Sequence, residues 1–258
     1  MNAHTKIAVA GATGRVGRHV VEILEAQGHD VVPISRSVGV DLITAEGLAE
    51  ALTGVEIVID ASSTPSPDQT EATEFFTTSA RNLHEVGHKA GVRRMVVVSI
   101  IGIDESKAGY NAAKLAHEQA VLAGPIPVQV LRAAQFHEFV EQLVGWGRQG
   151  DVCYVPKMRT QLVAANVVAQ ALVDLATGPA PAPESTGAPF PEIAGPREES
   201  LAEVAKLVLA RTGDVVRVEV VSDPVNPDRD LFENGALLPS PHATLAGPTY
   251  QEWLAGTS

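Results

Sequence analysis

Cysteine is nearly absent from this sequence, since Cys153 is the one thiol among 258 residues. A single cysteine cannot form an internal disulfide, which fits a reducing compartment. Because Cys153 follows Asp151 and Val152 near a predicted turn, we expect a packed, inert thiol rather than a nucleophile.

Basic charge and long apolar runs are also scarce. Lysine and arginine total 19 against 31 acidic residues, for a net charge of -12, which argues against a general affinity for nucleic acid or an anionic membrane. The longest apolar stretches, such as Met95–Ile103, are about nine residues, far below the roughly 20 of a membrane span. Residues Met1–Lys6 carry no signal pattern of charged and then apolar residues. We therefore predict a soluble, cytoplasmic protein with no nucleic-acid or membrane partner.

Spacings typical of metal ligands are missing as well. His84 and His88 stand one helical turn apart, but no third ligand follows at a recognisable spacing. We therefore predict no zinc site.

Apolar runs and helical patterns alternate along the first two thirds of the chain. Strands are predicted at Lys6–Ala10, Asp30–Ile34, Glu56–Ala61, Arg94–Ile100 and Val128–Leu131, and more weakly near Val40, at Phe190–Ala194 and at Val215–Val221. Helices are predicted at Gly14–Gln27, Ala45–Leu52, Gln69–Ala90, Asn111–Ala123, Gln135–Arg148, Ala165–Ala176 and Ser200–Arg211. Continuous β-branched runs indicate strands that are covered on both faces. The pattern predicts an α/β fold, a doubly wound Rossmann-type parallel sheet with right-handed crossovers.

Regular patterns weaken after Ala176, where a proline-rich loop begins at residues 178–183. We predict one Rossmann-type domain over residues 1–258. Within it, residues 1–177 form mainly the dinucleotide-binding core, and residues 178–258 form mainly a small, loop-rich C-terminal lobe on the substrate side. Apolar anchors at Tyr250–Leu254 argue against a disordered tail.

A glycine-rich turn at residues 11–17 (GATGRVG) carries the strongest functional signal. It lies between an apolar run and an amphipathic segment, the strand–turn–helix context that a dinucleotide pyrophosphate requires. Gly11 permits the tight turn, Gly14 lets backbone N–H groups approach the phosphates, and Gly17 allows close packing of the helix on the sheet. The helix N-terminus then offers N–H donors and partial positive charge to the anion. The predicted cofactor contacts in the turn are Gly11, Thr13, Gly14, Arg15, Val16 and Gly17.

The end of the second predicted strand indicates which nicotinamide cofactor is bound. An arginine between two hydroxyls, Ser35-Arg36-Ser37, suits a 2′-phosphate, and Arg15 could reach the same group. No carboxylate stands where NAD-binding chains bind the ribose, so the pattern favours NADP(H). Asp41, on the weak strand near Val40, is assigned to the adenine amino group or to the surface. After the next strand, Ala61, Ser62 and Ser63 are further predicted cofactor contacts, although serines there are also common helix caps.

A candidate catalytic group follows the strand that ends at Ser99. Tyr110 and Lys114 lie four residues apart on one predicted helix face. A lysine ammonium there would lower the pKa of the tyrosine and hold the nicotinamide ribose, and the tyrosine could then protonate an oxyanion. Ser99 would donate a hydrogen bond to the same oxygen.

Together these segments resemble the short-chain dehydrogenase/reductase superfamily, in particular its atypical branch of NmrA-like NAD(P)-binding proteins. The resemblance covers most of the chain and rests on residues 11–17, Val98–Gly102, the pair Tyr110 and Lys114, the run Leu131–Phe136, and the Ala194-Gly195-Pro196 turn. It implies that Ala133 and Phe136 lie along the nicotinamide, with Lys114 on its ribose. Ser99 and Tyr110 are 11 positions apart, closer than in typical short-chain reductases.

The predicted substrate contacts are Gln135, Phe136 and His137, which follow the strand at Val128–Leu131. Phe136 could stack on a substrate over the nicotinamide, and His137 could act as a polar contact or second acid. A structural role for His137 is an equal alternative.

Three functions are compatible with these patterns. The leading hypothesis is an NADPH-dependent oxidoreductase that reduces a small organic carbonyl, quinone or similar electrophile, with Tyr110 as acid and Lys114 as its partner. The second is a non-catalytic NADP(H) sensor, as in branch members that lack the tyrosine. The third, a nucleotide-sugar epimerase or dehydratase, is disfavoured because the chain looks short for the required lobe. The helix predicted at Gln69–Ala90 could pair with its copy across the interface of a homodimer, or it could simply cover the sheet.

Overall fold

The structure is a computed structural model that describes residues 5–179, 189–213 and 216–256. Most of the predicted proline-rich loop at 178–183 and the first residue of the run at Val215–Val221 lie outside these ranges. The strands are β1 Lys6–Ala10, β2 Asp30–Ile34, β3 Ile57–Asp60, β4 Arg94–Ile100, β5 Val128–Ala133, β6 Arg148–Gln149, β7 Val152–Pro156, β8 Arg159–Thr160, β9 Glu192–Ala194, β10 Glu199–Ser200, β11 Arg217–Val221 and β12 Thr244–Leu245. The α-helices are α1 Gly17–Ala26, α2 Leu48–Ala51, α3 Gln69–Ala90, α4 Gly109–Leu122, α5 His137–Gly147, α6 Ala165–Thr177, α7 Leu201–Thr212, α8 Arg229–Glu233 and α9 Tyr250–Gly256.

A seven-stranded parallel sheet forms the centre of the fold, in the order β12-β9-β5-β4-β3-β1-β2. Strand β1 pairs with β2 on one side and with β3 on the other, and β3 pairs in turn with β4. This confirms the predicted Rossmann-type α/β fold. The carboxyl ends of β1, β2 and β3 therefore meet at one edge, which is where ligands bind in sheets of this kind.

Several predicted elements are found with the expected bounds, including β1, β2, β4 and α3. Helix α3 is specified locally, because the Asp68 carboxylate accepts a hydrogen bond from the Glu71 N–H at its start. The helix ends at Gly91, whose φ of 86° suits glycine.

The weak strand predicted near Val40 is wrong. A 3-10 helix at Arg36–Val38 occupies the preceding residues, and Gly39 leaves it with φ 81°. The chain then turns at Asp41, whose Oδ1 accepts hydrogen bonds from the N–H groups of Ile43 and Thr44 at 2.6 and 3.1 Å. A carboxylate that binds its own backbone in this way favours a turn over a strand.

The chain divides into two compact units that interleave along the sequence. The organisation as one domain, with a core mainly in residues 1–177 and a lobe mainly in residues 178–258, stays a prediction. Unit 1 comprises residues 1–99, 109–132 and 168–191, and unit 2 comprises 100–108, 133–167 and 192–258. An apolar cluster of unit 1 lies around β1, β3 and β4, with Val58, Leu83 and Val97 among its buried members. Unit 2 has its own core between α5, β7 and α7.

Cys153 lies in the core of unit 2 and is fully buried. Its thiol contacts the Val144 carbonyl at 3.7 Å, and burial raises its pKa. The prediction of a packed thiol is confirmed, and its inertness stays a prediction. In the ranges that the structure describes, no helix is both long and apolar enough to cross a membrane.

Candidate functional site

The glycine turn is held by contacts that exclude side chains at two positions. Gly11 has φ +73°, and a Cβ built on it would lie 2.6 Å from the Ala61 carbonyl oxygen. A Cβ on Gly17 would lie 2.1 Å from the carbonyl oxygen of Gly11. Both distances are far below contact, so the backbone closes this tightly only with glycine. Gly14 donates its N–H to the Gly11 carbonyl at 2.8 Å, which completes the turn.

Helix α1 begins at Gly17 rather than at the predicted Gly14, because residues 11–16 form the turn itself. Within the described first turn of α1 there is no acidic residue, and its N-cap, Val16, makes no side-chain cap hydrogen bond. Thr13 and Arg15 are exposed, whereas the Val16 side chain is buried. An uncapped helix start with no carboxylate in its first turn is suited to an anion, and Val16 could contact it only through its backbone.

The turn lies directly against the end of β2. The N–H groups of Gly11 and Ala12 both donate to the Ile34 carbonyl, at 3.0 and 3.3 Å. Arg36 follows, exposed at the start of its 3-10 helix, while the hydroxyls of Ser35 and Ser37 bond to each other at 2.8 Å. The predicted 2′-phosphate residues thus adjoin the glycine turn. Oδ1 of Asp41 accepts the hydrogen bonds of the local turn described above, and the assignment of Asp41 to the adenine or to the surface stays a prediction.

The end of β3 forms the other side of the turn. The virtual Cβ of Gly11 would also come within 2.8 Å of the Ser62 Cα. Ala61 and Ser62 are buried, and the Ser62 hydroxyl has no hydrogen-bond partner among the described residues. Ser63 is exposed, and its Oγ lies 2.8 Å from the Tyr110 hydroxyl.

Tyr110 therefore reaches the edge of the glycine turn from the first turn of α4. Its ring packs edge-on against Phe76 of α3, with centroids 5.6 Å apart. Burial raises the pKa of Tyr110, although the Ser63 hydrogen bond and the Arg15 charge oppose this effect. The pKa of Tyr110 is raised overall, because the loss of hydration of the phenolate outweighs nearby positive charge. A lowering of this pKa by Lys114 stays a prediction.

Lys114 is buried one helical turn beyond Tyr110. Its Nζ donates to the Val98 carbonyl at 2.9 Å and lies 2.9 Å from His117 Nδ1. It also lies 4.5 Å from the centre of the Phe76 ring. Burial lowers the pKa of Lys114 to about 8, while the carboxylates of Asp60 and Glu118 counteract part of that effect.

Two residues that the sequence predictions missed complete this cluster. His117 Nε2 lies 3.2 Å from Asp60 Oδ2, and both side chains are buried. Burial of Asp60 on its own would raise its pKa, but the contact with His117 and the Lys114 charge bring it down to about 2. Burial, reinforced by the Lys114 charge, lowers the pKa of His117. A carboxylate that ends the apolar strand Ile57–Ile59, and a histidine three positions after Lys114, were the available sequence signals.

Ser99 is predicted to donate a hydrogen bond to the substrate oxygen that Tyr110 protonates, and this role stays a prediction. Its side chain is buried, and its Oγ has no hydrogen-bond partner in the described part of the chain. In this structure the hydroxyl that bonds to Tyr110 belongs to Ser63 instead. Ser99 and Tyr110 are 11 positions apart, closer than in typical short-chain reductases, so the motif alone does not predict that their hydroxyls meet.

The predicted substrate residues lie in unit 2. Gln135 accepts a hydrogen bond from the Thr160 hydroxyl at 2.6 Å, and Phe136 is partly buried beside Val163. Ala133, the predicted nicotinamide contact, is buried and accepts the Ile101 N–H through its carbonyl at 3.0 Å.

His137 is a correction to the predicted substrate set. It is fully buried, its Nε2 lies 3.1 Å from the Pro248 carbonyl, and its ring packs against Tyr250 and Trp253 of α9. An enclosed imidazole cannot contact a substrate. The structural alternative holds, because α9 supplies the aromatic neighbours that the local sequence does not reveal.

Over the described ranges, no group of three or more His, Cys, Asp or Glu side chains could hold an ion. His84 instead bonds to the Val121 carbonyl at 2.8 Å and accepts the Ile126 N–H at 3.3 Å.

Known proteins resemble the chain at two levels. A family model described as NAD(P)H-binding matches residues 11–177. An L-arabinose 1-dehydrogenase (NAD(P)(+)) from Haloferax volcanii is 32% identical over 127 residues, 46% of this chain and 48% of that protein. The photosystem II assembly factor Ycf39 from Synechocystis is 31% identical over 110 residues, 37% of this chain and 34% of its own length. The chain thus spans about half and about a third of these two curated relatives.

Solved structures match the fold over nearly the whole chain. MoeE5, in complex with UDP-glucuronic acid and NAD, is 19% identical with a TM-score of 0.68, covering 97% of this chain and 96% of that one. A nucleoside-diphosphate-sugar epimerase from Staphylococcus aureus is 16% identical with a TM-score of 0.69, covering 97% and 99%. A short-chain dehydrogenase/reductase superfamily protein from Agrobacterium tumefaciens with bound NAD is 17% identical with a TM-score of 0.66, covering 97% and 95%. Each of these three matches covers at least 95% of both chains and shows that the fold is shared.

Proposed function

Because this chain belongs to the NAD(P)H-binding family, we propose that it is an NADPH-dependent oxidoreductase that reduces a small organic carbonyl, quinone or similar electrophile. The observation that carries the proposal is the Tyr110 hydroxyl, which lies 2.8 Å from Ser63 at the edge of the glycine turn. A proton donor beside a dinucleotide site is what reduction of a carbonyl requires.

The residues present fit an NADP(H) molecule. The turn at residues 11–17 leads into a helix start with no side-chain cap, and the unpartnered Ser62 hydroxyl is a buried polar group at its side. Backbone N–H groups of the turn would bind the pyrophosphate. Arg36 and Arg15, both exposed, would bind the 2′-phosphate by charge-assisted hydrogen bonds, which NAD(H) cannot receive.

The reduced nicotinamide supplies the hydride when it is bound. Tyr110 then transfers its hydroxyl proton to the substrate oxygen, so that a carbonyl gains one hydride and one proton and becomes an alcohol. Ser63 donates a hydrogen bond to the phenolate that Tyr110 leaves, and Arg15 stabilises its charge. The raised pKa of Tyr110 keeps the hydroxyl protonated at neutral pH and ready to act as an acid.

Lys114 supports this step by its charge rather than by direct contact. Its ammonium is directed at the Val98 carbonyl and at His117, so a bond to the ribose requires the side chain to turn. Ala133, Gln135 and Phe136 are proposed to contact the nicotinamide or the substrate. Cytoplasmic location and a homodimer stay predictions.

A second candidate is a non-catalytic NADP(H) sensor that alters a protein partner. Two observations favour it: the engaged Lys114 ammonium, and a relative whose name is that of an assembly factor. The enzyme would oxidise NADPH continuously when an electrophile is present, whereas the sensor would bind NADPH without oxidising it.

The deciding experiment mixes the full chain with NADPH and a panel of aldehydes, ketones and quinones, and follows absorbance of the reduced nicotinamide. Continuous oxidation that depends on one of the electrophiles supports the enzyme. Tight NADPH binding with no oxidation across the panel would support the sensor instead. Failure to bind either NADPH or NADH would contradict both.

A further inference from the structure

The Lys114 ammonium has three N–H bonds, and Nζ has three neighbours in the structure that can interact with them. One donates to the Val98 carbonyl and one to His117 Nδ1, both at 2.9 Å. The third contact is the face of the Phe76 ring, 4.5 Å away at its centre. The same ring packs against Tyr110 and stacks on His117 with centroids 4.9 Å apart. Phe76 therefore contacts all three of these polar residues.

The Lys114 ammonium determines which imidazole nitrogen of His117 carries the proton. An ammonium can only donate, so Nδ1 must accept and the imidazole proton must sit on Nε2. Nε2 is the atom 3.2 Å from Asp60 Oδ2. The other oxygen of Asp60 accepts the Ser62 N–H at 2.9 Å, which anchors the carboxylate to the end of β3. A neutral imidazole thus bridges a buried carboxylate and a buried ammonium.

We propose that Asp60 and His117 are positioning residues that orient and retain the Lys114 ammonium beside Tyr110. This rests on the proposed function only in that Lys114 supports the reaction. Asp60 orients the imidazole, and the imidazole directs Nζ toward the Val98 carbonyl. The Asp60 charge stabilises the ammonium in a site that would otherwise favour the neutral amine.

Other charged and titratable groups face Lys114 besides this pair. Glu118, on the same helix, also favours the ammonium, but it is held by Arg132 of β5 in a paired contact at 3.0 and 2.7 Å. Tyr110 is neutral at neutral pH because its pKa is raised. Asp60 is therefore the carboxylate with no arginine partner in this cluster, and the one whose removal affects Lys114 most.

The test follows the Lys114 ammonium directly, by NMR of lysine side-chain carbon and nitrogen in the full-length protein across a pH titration. The Asp60→Asn variant should lower the Lys114 midpoint from about 8 by about 1 to 3 units, the usual effect of a nearby opposite charge. The His117→Leu variant keeps roughly the same volume and removes both the hydrogen bond to Nζ and the 3.2 Å contact with Asp60, so it should also lower the midpoint. His117→Gln retains an acceptor and a donor and should recover most of the loss.

A matched control is His84→Gln, which alters another buried histidine of unit 1 whose contacts are with the Val121 carbonyl and the Ile126 N–H. It should leave the Lys114 midpoint unchanged. If Asp60→Asn fails to fold, the comparison of His117→Leu with His117→Gln decides. The proposal is overturned if His117→Leu leaves the Lys114 midpoint at the wild-type value, or if nitrogen spectra show the His117 proton on Nδ1. These readouts need no turnover, so an inactive protein with the predicted shifts would contradict the proposed function and leave this inference intact.

Discussion

Replacing Gly17 with alanine tests whether the glycine turn is as closely packed as the structure indicates. The new Cβ would meet the Gly11 carbonyl oxygen at 2.1 Å and the Gly11 carbonyl carbon at 2.7 Å. Carbon and oxygen atoms rest at about 3.3 Å or more. The turn must therefore open by about 1 Å, and since the obstacle is backbone, no side-chain rotation can relieve the contact.

The expected effects follow from that displacement. Overpacking of this kind destabilises by about 1–3 kcal/mol. Backbone N–H groups moved by about 1 Å lose good hydrogen-bond geometry with an anion. Loss of one such charge-assisted bond, about 1.5–3 kcal/mol, corresponds to a cofactor affinity weaker by about tenfold to a hundredfold.

Gly145 of α5 offers the matched control, because a Cβ built there has no neighbour within 4 Å among the described residues. The Gly145→Ala variant makes the same chemical change on an exposed helix and should stabilise by about 0.5–1 kcal/mol. Urea unfolding gives both stabilities, and NADPH fluorescence titration gives both affinities. The reasoning is refuted if Gly17→Ala matches Gly145→Ala in stability and binds NADPH as tightly as the wild type.

Three further predictions follow from the same geometry. Ser63→Ala should lower kcat by about tenfold through loss of the hydrogen bond to Tyr110, whereas Ser99→Ala should change it little; the reverse order would restore Ser99 as the partner. Arg36→Ala should weaken NADPH binding by about tenfold, or about 1.4 kcal/mol, and leave NADH binding unchanged in calorimetric titrations; equal weakening of both would refute a 2′-phosphate contact. The pKa of Asp60 is about 2 in the folded protein against an ordinary 3.8. The stabilisation that the ionised carboxylate gives the folded state is therefore complete above pH 3.8 and is lost as the pH falls through about 2. Acid unfolding of the wild type should therefore show about 2 kcal/mol lost in this window that Asp60→Asn does not show, and identical acid profiles would exclude the contribution.

Local sequence patterns predicted the bounds of those helices and strands that are determined by residues close together in the chain. Strands β1 and β4 are continuous apolar runs, and α3 has both a capping aspartate and a terminal glycine, so their bounds could be predicted. The stretch near Val40 has apolar residues but is governed by the Asp41 turn, a side-chain hydrogen bond that hydrophobic periodicity does not report.

Contacts between distant segments could not be predicted in this way. The partner of the Tyr110 hydroxyl, Ser63, comes from the end of another strand, and its identity depends on how α4 packs on α3. The same holds for the pairing of Asp60 with His117, and for His137, which is enclosed by aromatic residues more than 100 positions later in the chain. Motif spacing predicts which residues share an element, whereas the neighbours across elements follow from tertiary packing.

The central claim, that Tyr110 is the acid of an NADPH-dependent reduction, is tested most directly by the rate of NADPH oxidation in the Tyr110→Phe variant with an accepted substrate. Phenylalanine retains the ring that packs on Phe76 and removes only the hydroxyl. We predict that kcat falls by at least about 100-fold, the usual contribution of a general acid, with the affinity for NADPH unchanged. An unchanged kcat in Tyr110→Phe would contradict the account.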